Sequence, residues 1–244
     1  MSLAKDYFNT VRNQVDLIGA SQMKGIERAG DLFGQVLCRG QWIYLFGTGH
    51  SHMIAEELFY RAGGLARVRP ILYSPLMLHE SATESTLVER DPSVVDDLLK
   101  AYPLAKGDVL LIASNSGRNP VPVELAIRAR DLGVSVVGLI NRQHSDAFES
   151  RHASGKKLAD LADVVIDNCG VVGDACVALP GEGLSTGAAS TVTGALIVQM
   201  IACHAIESAM AKGWQPEVYC SSNAGRAAHN DGLIERYRSS VKHL

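Results

Sequence analysis

The chain of 244 residues has no surplus of either charge: 23 basic residues stand against 26 acidic ones, for a net charge of -3. Without a basic excess nothing neutralises a nucleic-acid backbone, so DNA and RNA are excluded as expected partners. No apolar run approaches the roughly 20 residues that cross a bilayer, so no membrane partner is expected. The start, MSLAKDYFNTVRNQVDL, carries charges throughout and lacks the apolar stretch of a signal peptide. CxxC spacing is missing. The cysteines Cys38, Cys169, Cys176, Cys203 and Cys220 are odd in number and far apart, which excludes a zinc knuckle or a thioredoxin-type centre. They read as reduced, buried thiols of a cytoplasmic protein. Repeats, low-complexity tracts and linkers rich in Pro, Ser or charge are absent, so nothing divides the chain. What remains is 47% apolar and 20% charged, an ordinary globular composition sufficient for one domain.

The periodicity changes along the chain. Leu3, Tyr7, Val11, Val15 and Ile18 recur every three or four residues and predict a helix. A second helix carries Met23, Ile26 and Leu32 to Leu37, and Gly40 ends it. Such a stripe must pack on the later core or on another subunit. Apolar runs then predict strands over 41–46, 66–73, 108–113, 134–140 and 162–167, the second weakened by Pro70. Helices are predicted over 52–61, 120–132 and 190–212. Pro120 near the start of the middle one and Gly133 after its end fit the usual asymmetry. Strands apolar on both faces, alternating with helices, predict an α/β fold: a parallel sheet covered on two sides.

Two strand-to-helix turns suit an anion. In Phe46-Gly47-Thr48-Gly49-His50-Ser51 the glycines let the backbone fold tightly and turn N–H groups toward a ligand, beside a helix N-terminus. Ser51 adds a hydroxyl. This is not a dinucleotide fingerprint, because His52 stands where the third glycine belongs. In Ser114-Asn115-Ser116-Gly117-Arg118-Asn119-Pro120 three short polar side chains lie within six residues. An ordinary N-cap explains Asn119 but not both serines and Gly117. Ligands of open parallel sheets sit beyond the carboxyl ends of the strands, so the two turns point to one shared crevice.

These residues resemble a known family. Gly47 to Ser51 followed by Ala55-Glu56-Glu57-Leu58, and Ser114 to Gly117 followed by Pro120-Val121-Pro122-Val123-Glu124, are similar to the two phosphate turns of SIS (sugar isomerase) domains. The resemblance covers nearly the whole chain and is nearest a branch close to the phosphoheptose isomerases. Residues 115–122, Ser190 to Gly194 and the tail around Ser222 and Asn223 resemble that branch. It implies a five-stranded parallel sheet with helices on both faces, a flavodoxin-like three-layer sandwich. It also implies one domain over 1–244: a helical arm (1–37), an α/β core (38–213) and a tail (214–244). A phosphosugar would sit at the strand ends near a subunit interface, in a homodimer or homotetramer. Carried over by position, Ser51, Ser114, Ser116 and Asn119 hold the phosphate, with Asn115 and Gly117 in the same turn. Gly47, Gly49, His50, Ser190 and Thr191 would lie toward the sugar. Many SIS domains have Ser or Thr where this chain has Asn119.

Aldose–ketose isomerisation needs a base beside the carbonyl and an acid for the sugar oxygens. The polar stretch Leu78 to Thr86 follows the second strand, and isomerase-type SIS members use a glutamate in roughly this region. Glu80 is therefore the expected base and His79 its partner, with Glu84, Glu89 and His50 as rivals. A solvated loop with three exposed acids is the plainer reading. His50 and His52 do not share a helix face, and no set of three or four metal ligands is legible, so neither metal nor cofactor is expected. His204 reads as a structural histidine paired with Glu207 or with a neighbouring subunit. Where phosphoheptose isomerases place a catalytic histidine on the last helix, the residues here are apolar or small, such as Thr193 and Ile201. Lys156 and Lys157 either close over a ligand or, as such a charge run usually does, belong to a solvated stretch; Ser190, Thr191 and Thr193 belong to a helix cap, and Asn223 and His229 to a mobile tail or a neighbour's crevice. The expected function is a phosphosugar isomerase. A non-catalytic phosphosugar sensor and an amino-sugar-phosphate lyase or deaminase are the alternatives. The absence of a helix-turn-helix segment counts against the sensor.

Overall fold

Ser2 accepts a hydrogen bond from the Lys5 amide and starts the first helix, α1 (Leu3–Ser21), in a computed structural model that describes residues 2–221, 223 and 227–244. Helix α2 (Met23–Cys38) follows after one residue and ends before Gly40, whose φ of +69° suits glycine. The sheet then begins with β1 (Ile43–Gly47), leading through one 3₁₀ turn into the short helix α3 (His52–Glu57) and on to β2 (Val68–Ile71). Helices α4 (Ala82–Val88) and α5 (Val94–Ala101) precede β3 (Val109–Ala113). Then come α6 (Pro120–Asp131), β4 (Ser135–Ile140), α7 (Arg142–Asp146), α8 (Leu158–Leu161) and β5 (Val164–Asp167). A hairpin of β6 (Ala175–Ala178) and β7 (Ser185–Ala188) leads to α9 (Ser190–Met210), and α10 (Ala227–Tyr237) closes the chain.

The five main strands are parallel in the order β2-β1-β3-β4-β5. Alternate residues serve opposite faces. Ile43, Leu45 and Leu111 pack with Ile26 and Phe33 of α2 and Ile197 and Ile201 of α9. Tyr44, Phe46 and Ile112 pack with Leu98 of α5 and Val121 and Leu125 of α6. Both faces are buried, as the continuous apolar strands require. The expected five-stranded parallel sheet between helical layers is present.

Several expectations need correction. Helix α2 runs on to Cys38 and packs on α9 in the core, which Ile18 of α1 also joins. Helix 52–61 stops at Glu57, because Tyr60 takes a φ of +42°. The polar stretch Leu78 to Thr86 is not one loop: α4 begins within it at Ala82. The tail is not a free segment, since Tyr219, Leu233, Tyr237 and Val241 form a small core with Ala66. No cysteine is buried: Cys38 and Cys203 are exposed and the other three half-buried. Helix α9 is long and apolar enough to span a membrane by length and composition. Here its residues Ile197, Val198 and Ile201 are buried in the core. Ser222 lies outside the described residues.

Candidate functional site

In this strand order the chain leaves β1 on one side for β2 and leaves β3 on the other side for β4. Connections diverge there, and a crevice opens beyond the carboxyl ends of the two strands. Gly47 pairs with Ala113 in register, so the turns that follow them start side by side. Gly47 is obligatory for packing: an added Cβ would collide with the backbone carbonyl of Ser51. Gly49 and Gly117 hold φ of +53° and +60°, the left-handed region open to glycine.

The turns enclose a cavity of about 240 Å³ lined by Thr48, Gly49, Ser51, Ser114, Asn115 and Ser116. Leu78, Ser85, Thr86, Glu89 and His144 complete its wall. A small inner recess shares Ser51, Ser114 and Asn115 with it and reaches Asn168, Ser190 and Thr191. Ser114 is buried, and its hydroxyl accepts from the Gly117 amide at 3.2 Å, which sets the turn. Asn115 is fixed from behind: Asn168 Nδ2 donates to its Oδ1 at 2.9 Å, and its carbonyl accepts from the Asn141 amide. Among the described residues no lysine or arginine lines the cavity, so an anion there would meet amides, hydroxyls and helix starts.

Glu89 joins the two turns. One of its oxygens accepts from the Thr48 hydroxyl, and the other accepts from Asn119 Nδ2 at 2.7 Å. Its own carbonyl accepts from the Val121 amide, in the first turn of α6. Asn119 in turn accepts from Arg151 at 2.9 Å. Both ends of the Asn119 amide are therefore taken, and it does not line the cavity.

His144 enters from α7, whose Asn141 cap accepts from the His144 amide. The Gly173 amide donates to His144 Nδ1 at 2.9 Å, so the proton of the neutral ring sits on Nε2. Burial, and secondarily the charge of Arg118, push this imidazole below its ordinary pKa of 6.5. The result is a neutral N–H donor and a carboxylate lining the same cavity.

A sequence profile of the SIS domain matches residues 6–141, more than half of the chain. The chain belongs to the SIS domain family. A UPF0309 protein of Thermoanaerobacter pseudethanolicus is 42% identical to it, over 98% of this chain and 99% of its own. Two solved structures share the SIS fold with it. The phosphoheptose isomerase of Neisseria gonorrhoeae has a TM-score of 0.53 and 18% identity, over 82% of this chain and 96% of its own. The NanR protein of Vibrio vulnificus, complexed with ManNAc-6P, has a TM-score of 0.53 and 16% identity, over 98% of this chain and 68% of its own.

Of the residues expected to serve this SIS crevice, Gly49, Ser51, Ser114, Asn115 and Ser116 line the cavity, and Ser190 and Thr191 reach its recess. Gly47 and Gly117 are buried turn formers. His50 is exposed and outside the wall. His79 and Glu80 lie 3.7 Å apart on the surface, 68% and 56% exposed, before α4 begins and away from the lining. Glu84 is exposed on α4. Among the expected acids and bases, Glu89 alone borders the cavity. Thr48, Ser85, Thr86, His144 and Asn168 were not anticipated. A signal for the α4 residues existed: Ser81-Ala82-Thr83-Glu84 has the spacing of a capping box, and Ser81 does accept from the Glu84 amide. A helix from there puts Ser85 and Glu89, four apart, on one face.

The remaining side chains have structural work. His204 pairs with Asp31 of α2 at 3.4 Å and meets Glu207 only at 4.0 Å. Lys157 donates to the Ser145 carbonyl rather than closing over the cavity. Ser190, Thr191 and Thr193 do not cap α9. Asp174 does, accepting from the amides of Ala189 and Ser190 and from the Ser190 hydroxyl. His229 binds the Val218 carbonyl, and Asn223 is exposed.

Proposed function

We propose that this SIS protein binds a phosphosugar, with the phosphate between the two glycine turns and the sugar toward Glu89 and His144. The observation that carries the reading is that both turns open into a single cavity at the β1–β3 divergence. Ser51, Ser114 and Ser116 offer hydroxyls there, and Gly49 brings the backbone close. The likeness to NanR, itself complexed with ManNAc-6P, supports the same class of ligand.

The reaction we assign is aldose–ketose isomerisation, with Glu89 in place of Glu80 as the base. Glu89 removes the proton beside the carbonyl, the proton it carries exchanges with solvent, and Glu89 then delivers a proton to the former carbonyl carbon. His144 Nε2–H serves the sugar oxygens as the negative charge moves onto them. The homo-oligomer remains part of the proposal, supported by Phe8 and Leu17 of α1, which are 65% and 51% exposed. A sensor is the second reading. Its support is that both Glu89 oxygens already accept hydrogen bonds from the turns, a use that needs no chemistry.

A thermal-shift panel of sugar phosphates tests binding. Ligand at a hundred times its Kd stabilises by about 2.7 kcal/mol, and Ser114→Ala with Ser116→Ala should remove the shift. Incubation of the binding sugar in D₂O then separates the readings. An isomerase places deuterium on the carbon beside the carbonyl, and Glu89→Gln stops it. A sensor binds and exchanges nothing.

A further inference from the structure

A second cavity, of about 390 Å³, lies at the opposite end of the sheet from the crevice. Its floor is built by register partners near the amino ends of two strands, Tyr44 of β1 and Arg69 of β2. Tyr102 after α5 forms one wall, and Arg238 and Lys242 after α10 form the other. Among the described residues three cations face this space and its lining contains no acid.

Arg69 is the informative member. Its guanidinium lies over the Trp42 ring at 3.7 Å and donates to the Tyr44 hydroxyl at 2.6 Å. That hydroxyl in turn donates to the Pro103 carbonyl, so it stays neutral. Arg69 Nε is buried without a hydrogen-bond partner. Among the described residues no carboxylate lies within 4 Å of Arg69, Arg238 or Lys242. The contrast with Arg67, two residues away on the same ring, is direct: Arg67 also faces Trp42, but Glu217 neutralises it at 3.5 Å. Asp108, whose charge acts on Tyr44, has both oxygens committed to the amides of Trp42 and Ala105. A partly desolvated guanidinium with a spare N–H and no counter-ion is unfavourable unless an anion completes it. Arg supplies the fork that matches an oxyanion, and two further mobile cations at the rim fit additional charge.

We propose that this cavity is a second anion site, separate from the crevice, that takes a small phosphorylated molecule carrying two or more negative charges. Arg69 holds one phosphoryl group from the floor, and Arg238 and Lys242 close on the remaining charge from the C-terminal segment. Lys242 waits over the Tyr102 ring at 4.5 Å, a contact it can leave without losing an ion pair.

The stacking of Arg69 on Trp42 supplies the readout. The chain has two tryptophans, so Trp214→Phe isolates Trp42 fluorescence. Inorganic pyrophosphate should change that signal saturably, and Arg238→Ala with Lys242→Ala should weaken binding by about tenfold or more. Both positions are exposed, so circular dichroism of the double variant should match the parent. Calorimetry of the unmodified protein gives the same comparison without Trp214→Phe. Ser114→Ala with Ser116→Ala, in the crevice, should leave the Trp42 response intact. The proposal is overturned by any of three results: no saturable response, undiminished affinity in the double variant, or loss of the response in the crevice variant. Citrate binding as tightly as pyrophosphate would overturn the assignment to phosphoryl groups.

Discussion

Asn119 donates its side-chain amide to Glu89 at 2.7 Å and so ties the start of α6 to the residue that ends α4. With Thr48 on its other oxygen, the Glu89 carboxylate connects two turns that are 66 residues apart at Thr48 and Ser114 in the sequence but adjacent in space. Gln at this position can still accept from Asn119 and donate to the Thr48 hydroxyl, but both contacts lose the charge that strengthens them. Glu89→Gln should lower the unfolding free energy by about 1–3 kcal/mol, read from urea denaturation. Unchanged stability would mean that the carboxylate does not hold the turns together.

Gly47→Ala makes a different demand. The new methyl meets the Ser51 carbonyl, which is backbone and has nowhere to rotate. The turn must open, at a cost of about 1–3 kcal/mol or more. Loss of the sugar-phosphate thermal shift should accompany the drop in melting temperature. A fully stable Gly47→Ala protein that still binds would show that the first turn is not as tight as its φ and packing indicate.

His144 titrates below its ordinary value because it is buried, so the unfolded chain takes a proton near pH 6.5 and the folded chain only at lower pH. Its contribution to stability is full above pH 6.5 and declines as pH falls from there toward the folded pKa. Protonation also breaks the Gly173 amide contact. Imidazole titration by NMR should place His144 under 6.5, and His144→Asn should flatten the acid limb of the stability curve.

Tyr219 behaves oppositely at the alkaline end. Burial first, then the neighbouring Tyr60 and Tyr237, raise its phenol to about 12. An unfolded tyrosine ionises near 10, so stability is complete below pH 10 and falls between 10 and 12. Its hydroxyl is buried without a partner among the described residues. Tyr219→Phe should therefore raise stability by up to about 1 kcal/mol and remove that alkaline loss, measured as melting temperature against pH. A lower melting temperature at neutral pH would mean that the hydroxyl has a partner after all.

The strands, the glycine turns and their shared crevice were legible because each rests on local pattern: apolar runs, then Gly47 and Gly49 or Ser116 and Gly117, then a helix. The exchange of Glu80 for Glu89 shows where local pattern ends. Which acid faces the cavity depends on α4 beginning at the Ser81 cap, and on Thr48 and Asn119 reaching Glu89 from distant segments. His144 was hidden for the same reason, since its place is set by Asn141 and Gly173 across the connection from β4. Asp174 replaced the expected serine and threonine caps of α9 because the β6–β7 hairpin brings it there, and the glycine-rich stretch 170–187 carries no strand alternation to reveal it.

The central claim is that one dianion bridges the two glycine turns. Backbone amide shifts of the protein titrated with the best sugar phosphate of the panel test it most directly. The account predicts that the amides of residues 48–51 and 114–117 move together and saturate at a single Kd. Shifts confined to one turn, or found only at other positions while the ligand binds, would contradict it.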